Sequence, residues 1–594
     1  MKIPYGNASF GDIRRQGKYY VDKTRFIPEL ENDQKGYQHL VFLRPRRFGK
    51  SLLVSMLSHY YDLAEAEHFD TLFAGLWIHQ HPTPERSQHL ILHFDFSGVD
   101  GGAGLSKLRT SFTGNVRTTI NRALARYSKH HDAFAKLPEY LDRLPDENAL
   151  LGAFLTAAEI AGRGVYILID EYDSVANDLL ARGYVSTYDE LFLSTGFIRT
   201  FYKALKAGAQ AGAIARVFIT GITPVPLDDM ASAFNIMTQI SHEPTFNDIC
   251  GFTRGEVEDA VDVLLRERPS LGTGDVLLTD LERYYDGYRF SENASARIFN
   301  SDMVLYYLRQ LSVRGRPPRN MLDDNVRTDY TKLRAISSPP GGSQDWHLKF
   351  ISDLLTRGEV VGELAERFSR RTMYNQSHLV SLLYHMGMLT IGGVVLNQYR
   401  FTVPNAVIRL MHWEELGLLF EQQSGAVVDI SAMERAVIGL AIHGELETFL
   451  ELIRDEVLEK LSNRDLIRFD EKHLKLILMT YLTFSPIYRP LSEVEFNHGY
   501  ADLFLALDHR YPDAQVSWLL ELKHLKAGAS EEAVAKARQE AQAQIDTYLS
   551  DPGTLQALMG DRAIHAATVL LVGSTDLRWW VEKKVPASVA TRIA

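Results

Sequence analysis

The sequence predicts an α/β protein: an N-terminal doubly wound unit with helices on both faces of a parallel sheet, a helical middle, and a smaller C-terminal α/β domain. Three observations predict it. Apolar runs at 40–43, 90–99, 164–170 and 215–225 alternate with helical patterns, as strands buried on both faces of a parallel sheet do. Near the other end, apolar runs at 503–507 and 518–522 flank a polar turn containing Pro512 and Asp513, which reads as a β-hairpin. At 594 residues the chain is also too long for one core.

Residues 1–36 read as a lead-in with a short helix packed on the first unit. The run Leu40–Leu43 then meets Gly49-Lys50-Ser51, where a helical pattern begins. Backbone N–H groups at such a helix start can cradle phosphates, Lys50 can reach the β- and γ-phosphates, and Ser51 can hold Mg²⁺. The candidate cradle is Arg44, Pro45, Arg46, Arg47, Phe48, Gly49, Lys50, Ser51 and Leu52. Arg44 stands where GxxxxGK[ST] has its first glycine, and a bare GKS tripeptide is weak by itself.

The run 164–170 strengthens it by ending in Asp170-Glu171. An acid at a strand tip can hold Mg²⁺, and the next can polarise the attacking water. The plain alternative is an Asp capping an ordinary helix. The run 215–225 brings Thr220 or Thr223 to the γ-phosphate side of the same sheet.

Thr253, followed three residues later by Glu256, carries a capping-box signature and opens a helix over 252–265. In 284–290, Arg289 is a candidate phosphate-sensing arginine or an ordinary turn arginine. The stretches 314–320 and 337–345 are rich in Pro, Gly and Ser and read as connections. Arg314, Arg316, Arg319, Arg327, Lys332 and Arg334 make this the most basic region, either a nucleic-acid contact or a solvated loop. Residues 375–405 read as a helix, a strand, a turn at 392–395 and a return strand, similar to a winged helix. Residues 430–465 are amphipathic and helical. The expected division is 1–250, 251–345, 346–425 and 426–594.

In the C-terminal hairpin, Asp502 enters the first strand, and alternation places Glu521 and Lys523 on one face of the second. Two carboxylates and an amine at a strand end can hold a divalent ion and a water for phosphodiester hydrolysis. The plain alternative is an exposed Glu–Lys pair, worth little. The Ala-rich stretch 530–549 reads as a helix bearing Gln542, Gln544 and Tyr548, and 567–574 as a further core strand. Two residues compete for a third acid: Glu471 in the apolar helix 469–482, and Glu495, seven residues before Asp502. His473 and His498 lie nearby as further, weaker candidates.

The ordered segments IPYGNASFGDIRRQGKYYVDKTRFIPEL, RPRRFGKSLLVSML, LIDEYD, FITGITPV, CGFTRGEVEDAV and YYDGYRF resemble the bacterial AAA-ATPase-like family. The pattern Asp502, Glu521, Lys523 resembles the PD-(D/E)xK nuclease core, which that family typically carries at its C-terminus. The resemblance implies ATP and Mg²⁺ in the first unit and Mg²⁺ or Mn²⁺ at Asp502 and Glu521. It also implies a helix after the hairpin that supplies a polar residue such as Gln544. One segment departs from the family: relatives often read E-x-G-x-G-R-x-D where this chain has EFNHGYAD, with Asn497 and Tyr500 in place of Gly and Arg.

The composition, 45% hydrophobic and 23% charged, is that of an ordinary globular protein. A single cysteine, Cys250, excludes an intramolecular disulfide framework and fits a reducing compartment. No signal peptide and no apolar run of membrane-spanning length is seen, so the cytoplasm is expected and no membrane. A net charge of −11 argues against a broadly basic coat but leaves room for a local basic channel. The expected partners are ATP and nucleic acid, DNA before RNA, with room for a homo-oligomer. The expected function is an ATPase coupled to a metal-dependent nuclease; the alternative is an ATP switch whose nuclease-like domain binds without cutting.

Overall fold

The structure is a computed structural model. It describes residues 1–586 apart from 101, 103, 194, 231–234, 329–343, 368, 374–375, 425–427, 462–469, 498 and 560–561. Lys332 and Arg334 of the basic stretch, most of the 337–345 connection, and His498 lie outside the described residues. The chain forms two compact units, one of residues 1–342 with 359–407, the other of 343–358 with 408–594.

The first unit is built on five parallel strands: β1 (His39–Leu43), β2 (Leu90–Asp95), β3 (Val165–Asp170), β4 (Ile214–Gly221) and the short β5 (Thr238–Gln239). Their order is β2-β3-β4-β1-β5. All six residues of β3 are buried, which is why it reads as an unbroken apolar run. β4 lies between β1 and β3 and pairs with both, so the carboxyl ends of all three strands reach one edge together. Reversals of strand order at such an edge are where open α/β sheets hold ligands. The lead-in docks as its sequence suggests: helix Phe10–Arg15 is capped by Ser9, and the Phe10 N–H donates to Ser55 Oγ at 3.0 Å. Helix Arg254–Glu267 starts with a complete Thr253/Glu256 capping box.

A three-stranded antiparallel sheet, β6 (Glu359–Gly362), β7 (Thr390–Val395) and β8 (Gln398–Thr402), belongs to the same unit. The segment 392–395, read as a turn because of its two glycines, is part of β7. The chain reverses at 396–397 instead, where Leu396 takes a left-handed φ of 55°. The local signal was ambiguous because Val394 and Val395 favour strand while Gly392 and Gly393 favour turn.

The second unit holds β9 (Tyr488–Phe496), β10 (Gly499–Leu507), β11 (Val516–Leu525), β12 (Ala563–Val572) and β13 (Asp576–Val585), in the order β13-β12-β11-β10-β9. The hairpin is antiparallel, as expected, whereas β11 and β12 run parallel. A parallel pair needs a crossover, and helix Glu531–Leu549, capped by Ser530, supplies it. β11 is central: Trp518, Leu519 and Leu520 are fully buried on its two faces. The edge strands β9 and β13, with their mixed polar faces, had no clear strand signature in sequence.

Candidate functional site

Between β1 and helix Lys50–Tyr61 the chain must reverse within six residues. It does so through left-handed backbone at Arg47, φ 69°, and at Gly49, φ 95°, the residue that caps the helix. The first N–H groups of that helix have no intrahelical partner. They open toward a cavity of about 1070 Å³ whose lining includes the whole run Arg46–Leu52 and Glu171. Tyr19, Tyr20, Ile249, Cys250 and Phe252 line it as well, giving it aromatic and apolar surface beside the phosphate-type cradle. Its volume is that of a site for a nucleotide-sized ligand.

Lys50 is buried, and its Nζ donates to the carbonyls of Arg44 and Pro45, both at 3.0 Å. Burial pushes its pKa down, while Asp170, Glu171 and Asp173 pull the other way. Thr220 Oγ1 donates to Asp170 Oδ1 at 2.5 Å, and the Glu171 N–H donates to the same oxygen at 3.0 Å. Thr223 is committed elsewhere: its N–H and hydroxyl both donate to Asp173 Oδ2, at 2.7 and 3.1 Å. Of the two threonines, Thr220 therefore aligns with the strand-tip acid. Glu171 has a left-handed φ of 51°, uncommon outside glycine. Burial raises its pKa, against the lowering fields of Lys50 and Arg46.

Two expected nucleotide-site residues, one of the cradle and one candidate sensor, are placed differently. The guanidinium of Arg44 is turned into the core, 1% exposed, and donates to the carbonyls of Leu43, Ser241 and Phe246 at 2.6–2.9 Å. It lies between the rings of Phe42 and Phe290, 4.4 and 4.1 Å from their centroids. Such a cation over two aromatic faces, with both terminal nitrogens bonded to carbonyls and Nε buried without a partner, is a packing device. Arg289 does not line the cavity; its backbone N–H donates to Thr390 Oγ1 at 2.7 Å. Pro45, Asp170 and Thr220 also lie outside the cavity lining, Pro45 acting through its carbonyl on Lys50 and the other two beneath Glu171.

In the second unit, Leu503 faces Leu520 and Phe504 faces Leu519 across the hairpin. Continuing that register sets Asp502 opposite Glu521, so their side chains share a face. Phe504 and Leu519 on that face pack with Ile545 and Tyr548 of the crossover helix. The helix bearing Gln544 thus covers the face that carries both acids. Lys523 Nζ donates to Glu521 Oε1 at 2.8 Å, and the Leu522 N–H donates to Asp502 Oδ2 at 2.8 Å.

Glu521 is 1% exposed and its Oε2 is buried with no hydrogen-bond partner. Burial, then the neighbouring Asp502, pushes its pKa up to about 7, with Lys523 opposing. Burial raises Asp502 too, against the Leu522 N–H and the fields of Lys475 and Lys523. Burial depresses Lys523, but its bond to Glu521 and the surrounding acids prevail and raise it. An orphaned carboxylate oxygen, two acids and a nearby amine fit an oxygen-liganded divalent ion. Among the described residues no group of three or more His, Cys, Asp or Glu side chains is gathered to hold one. Mg²⁺ often takes only one or two carboxylates and completes its shell with water and phosphate oxygens.

Glu471, the first residue of helix Glu471–Leu482, has its pKa raised by burial and by Asp502 and lowered by Lys523. It therefore lies within the field of the site. Glu495 is exposed on β9, opposite Tyr500, and His473 bonds Asp470 at the helix cap. Tyr548, four residues after Gln544 on the covering helix, donates its hydroxyl to the Tyr500 carbonyl at 2.9 Å, and its pKa is pushed up to about 12 by burial and by Glu521 and Asp502.

Residues 4–231 match the family described as Predicted AAA-ATPase, and residues 469–579 match the PD-(D/E)XK nuclease superfamily. The chain joins a predicted AAA-ATPase module to a PD-(D/E)XK nuclease-superfamily domain. An uncharacterized protein in the vnfD 5′ region of Azotobacter chroococcum mcd 1 is 26% identical over 442 residues, 72% of each chain. Among solved structures, a Walker-type ATPase of Pyrococcus abyssi aligns over 66% of this chain and 96% of its own, with 11% identity and a TM-score of 0.38. Cdc6p of Pyrobaculum aerophilum aligns over 69% and 94%, with 10% identity and a TM-score of 0.25. The ORC1 protein of Aeropyrum pernix, solved in complex with DNA, aligns over 67% and 91%, with 9% identity and a TM-score of 0.26.

Several residues at both sites escaped the reading of the sequence. In the AAA-ATPase module these are Tyr19 and Tyr20 on the cavity wall and Asp302, whose Oδ2 lies 3.6 Å from Arg47 Nη1. In the nuclease-superfamily domain they are Lys475, paired with Glu493 and 4.0 Å from Asp502, and Glu493 itself. Only the i, i+4 spacing of Glu471 and Lys475 could have drawn attention to the lysine. Among the described residues, no helix is long and apolar enough to cross a membrane.

Proposed function

We propose that the protein binds and hydrolyses ATP in its N-terminal unit and uses a divalent ion in its C-terminal unit to cleave nucleic-acid phosphodiesters. In the ATPase, the helix start at Gly49–Ser51 and Lys50 bind the phosphates, Ser51 and Asp170 hold Mg²⁺, and Glu171 orients the attacking water. Support comes from the cavity that gathers Lys50, Ser51 and Glu171, with Asp170 beneath it bonded to Thr220.

The observation that carries the nuclease reading is Glu521: fully buried, with one oxygen bonded to Lys523, the other without a partner, and Asp502 on the same face. An ion held there by Asp502 and Glu521 would activate water and polarise the phosphate. Glu471 extends the acidic set, and Lys523 is placed to meet the charge that develops on the attacked phosphate. Gln544, on the helix that covers the face of both acids, is the polar residue that helix would offer the site.

One observation favours the alternative of an ATP switch that binds nucleic acid without cutting it. Glu521 Oε1 is already held by Lys523, so an ion must compete for the acid. The two are separated by incubating the full chain with single- and double-stranded DNA and RNA, with Mg²⁺ or Mn²⁺, with and without ATP. Cleavage lost in Asp502→Asn supports the nuclease. Binding without cleavage by either protein supports the switch.

A further inference from the structure

We propose that the C-terminal site takes one divalent ion rather than two, because the ammonium of Lys475 is a fixed cation where a second ion would otherwise sit. The proposal deepens the metal-dependent reading above and rests on it.

Glu471 and Lys475 are i and i+4 on helix Glu471–Leu482, so both project from one helix face toward the same neighbourhood. Lys475 is largely withdrawn from water, its side chain 13% exposed. It forms an ion pair with Glu493 and stands 4.0 Å from Asp502 Oδ1. Glu493 comes from β9 at the position opposite Asp502, between the pairs Ala501–Val494 and Leu503–Ser492. It takes a left-handed φ of 53° on the edge strand, and its side chain is 61% exposed. Asp502 is thus divided: Oδ2 accepts the Leu522 N–H at 2.8 Å, and Oδ1 faces the Lys475 ammonium.

Two-ion phosphodiester sites hold their ions about 4 Å apart, clamping both the attacking and the leaving oxygen. Here two different cationic solutions flank Asp502. On the Glu521 side is a fully buried acid whose Oε2 has no partner, which is the place an ion can fill. On the Glu493 side the carboxylates already share an ammonium. A doubly charged ion entering there would be repelled by Lys475 at close range in a partly dry setting. Lys475 can do part of that ion's work, since its ammonium offers three donors to phosphate oxygens and partly neutralises Asp502 and Glu493. It has no acceptor with which to take a proton from water, so activation of the nucleophile would fall to an ion held by Asp502 and Glu521.

The test is the number of Mn²⁺ ions bound by the full-length chain without nucleotide, counted by electron paramagnetic resonance titration. Wild type should bind one ion that Asp502→Asn abolishes, and Lys475→Met should bind two, both lost when Asp502→Asn is added. Two Asp502-dependent ions in wild type would overturn the one-ion proposal and leave the metal-dependent reading standing. No Asp502-dependent ion would overturn that reading and this proposal with it. A single ion in Lys475→Met that keeps the wild-type circular dichroism would also overturn the proposal. If that variant fails to fold, the wild-type count decides by itself.

Discussion

Glu521 offers the sharpest quantitative test, because its burial couples ion binding, protonation and stability in one residue. Its pKa is pushed up to about 7 from the ordinary 4.5. A carboxylate raised in the folded state contributes stability that is complete below the unfolded pKa and is lost as pH rises through the folded one. Glu521→Gln removes this titration. Each pKa unit corresponds to about 1.4 kcal/mol, so the stability difference between the variant and wild type should shift toward the variant by on the order of 3 kcal/mol between about pH 4.5 and about pH 8. The assay is chemical unfolding of both proteins in chelator across that range. An ion binds only the carboxylate form, so wild-type Mn²⁺ affinity should rise about tenfold from about pH 6 to about pH 8. A stability difference that stays constant with pH, together with a flat Mn²⁺ affinity, would refute the assignment of Glu521 as a buried, ion-competent acid.

Lys50→Ala should abolish detectable nucleotide binding in a folded protein, since backbone groups cannot replace its charge; unchanged affinity by calorimetry would contradict its place at the phosphates. Glu171→Gln should retain ATP and hydrolyse it at least about a hundredfold more slowly, because a water-orienting acid acts mainly in the transition state; wild-type turnover would remove it from the mechanism. Arg44→Gly restores the glycine of the usual loop pattern, yet should destabilise the protein by about 2–5 kcal/mol, since it empties a packed site and strands three buried carbonyl contacts. Thermal unfolding reads that loss, and an unchanged midpoint with tighter ATP binding would show that Arg44 belongs to the cradle after all. Lys523→Ala should keep the Mn²⁺ ion at a pH high enough to ionise Glu521, whose pKa the lysine had held down, while losing most cleavage; loss of the ion at every pH instead would make the lysine a scaffold for Glu521.

Much of the architecture was legible in the chain because it rests on local, short-range rules. β3 announced itself as an apolar run ending in Asp170-Glu171, since a strand covered on both faces has no room for alternation. The capping box at Thr253 and Glu256 and the alternation of Glu521 and Lys523 are fixed by periods of a few residues. The sequence also placed Asp502 and Glu521 in facing strands of one hairpin, leaving the register to bring them to the same face. What it could not decide was where long side chains end. Arg44 follows an apolar strand as a cradle residue would, yet its guanidinium turns back onto Phe42, Phe290 and carbonyls about 200 positions away in the chain. Glu471 and Glu495 stood equal as candidates until the helix start brought one into the field of Asp502 and the strand pleat left the other exposed. Lys475 and Glu493 carry no motif, because their meaning comes from a helix and an edge strand converging on one acid. Backbone periodicity is written locally, but the field at a carboxylate is a sum over every charge that folding brings near it, and only the tertiary structure performs that sum.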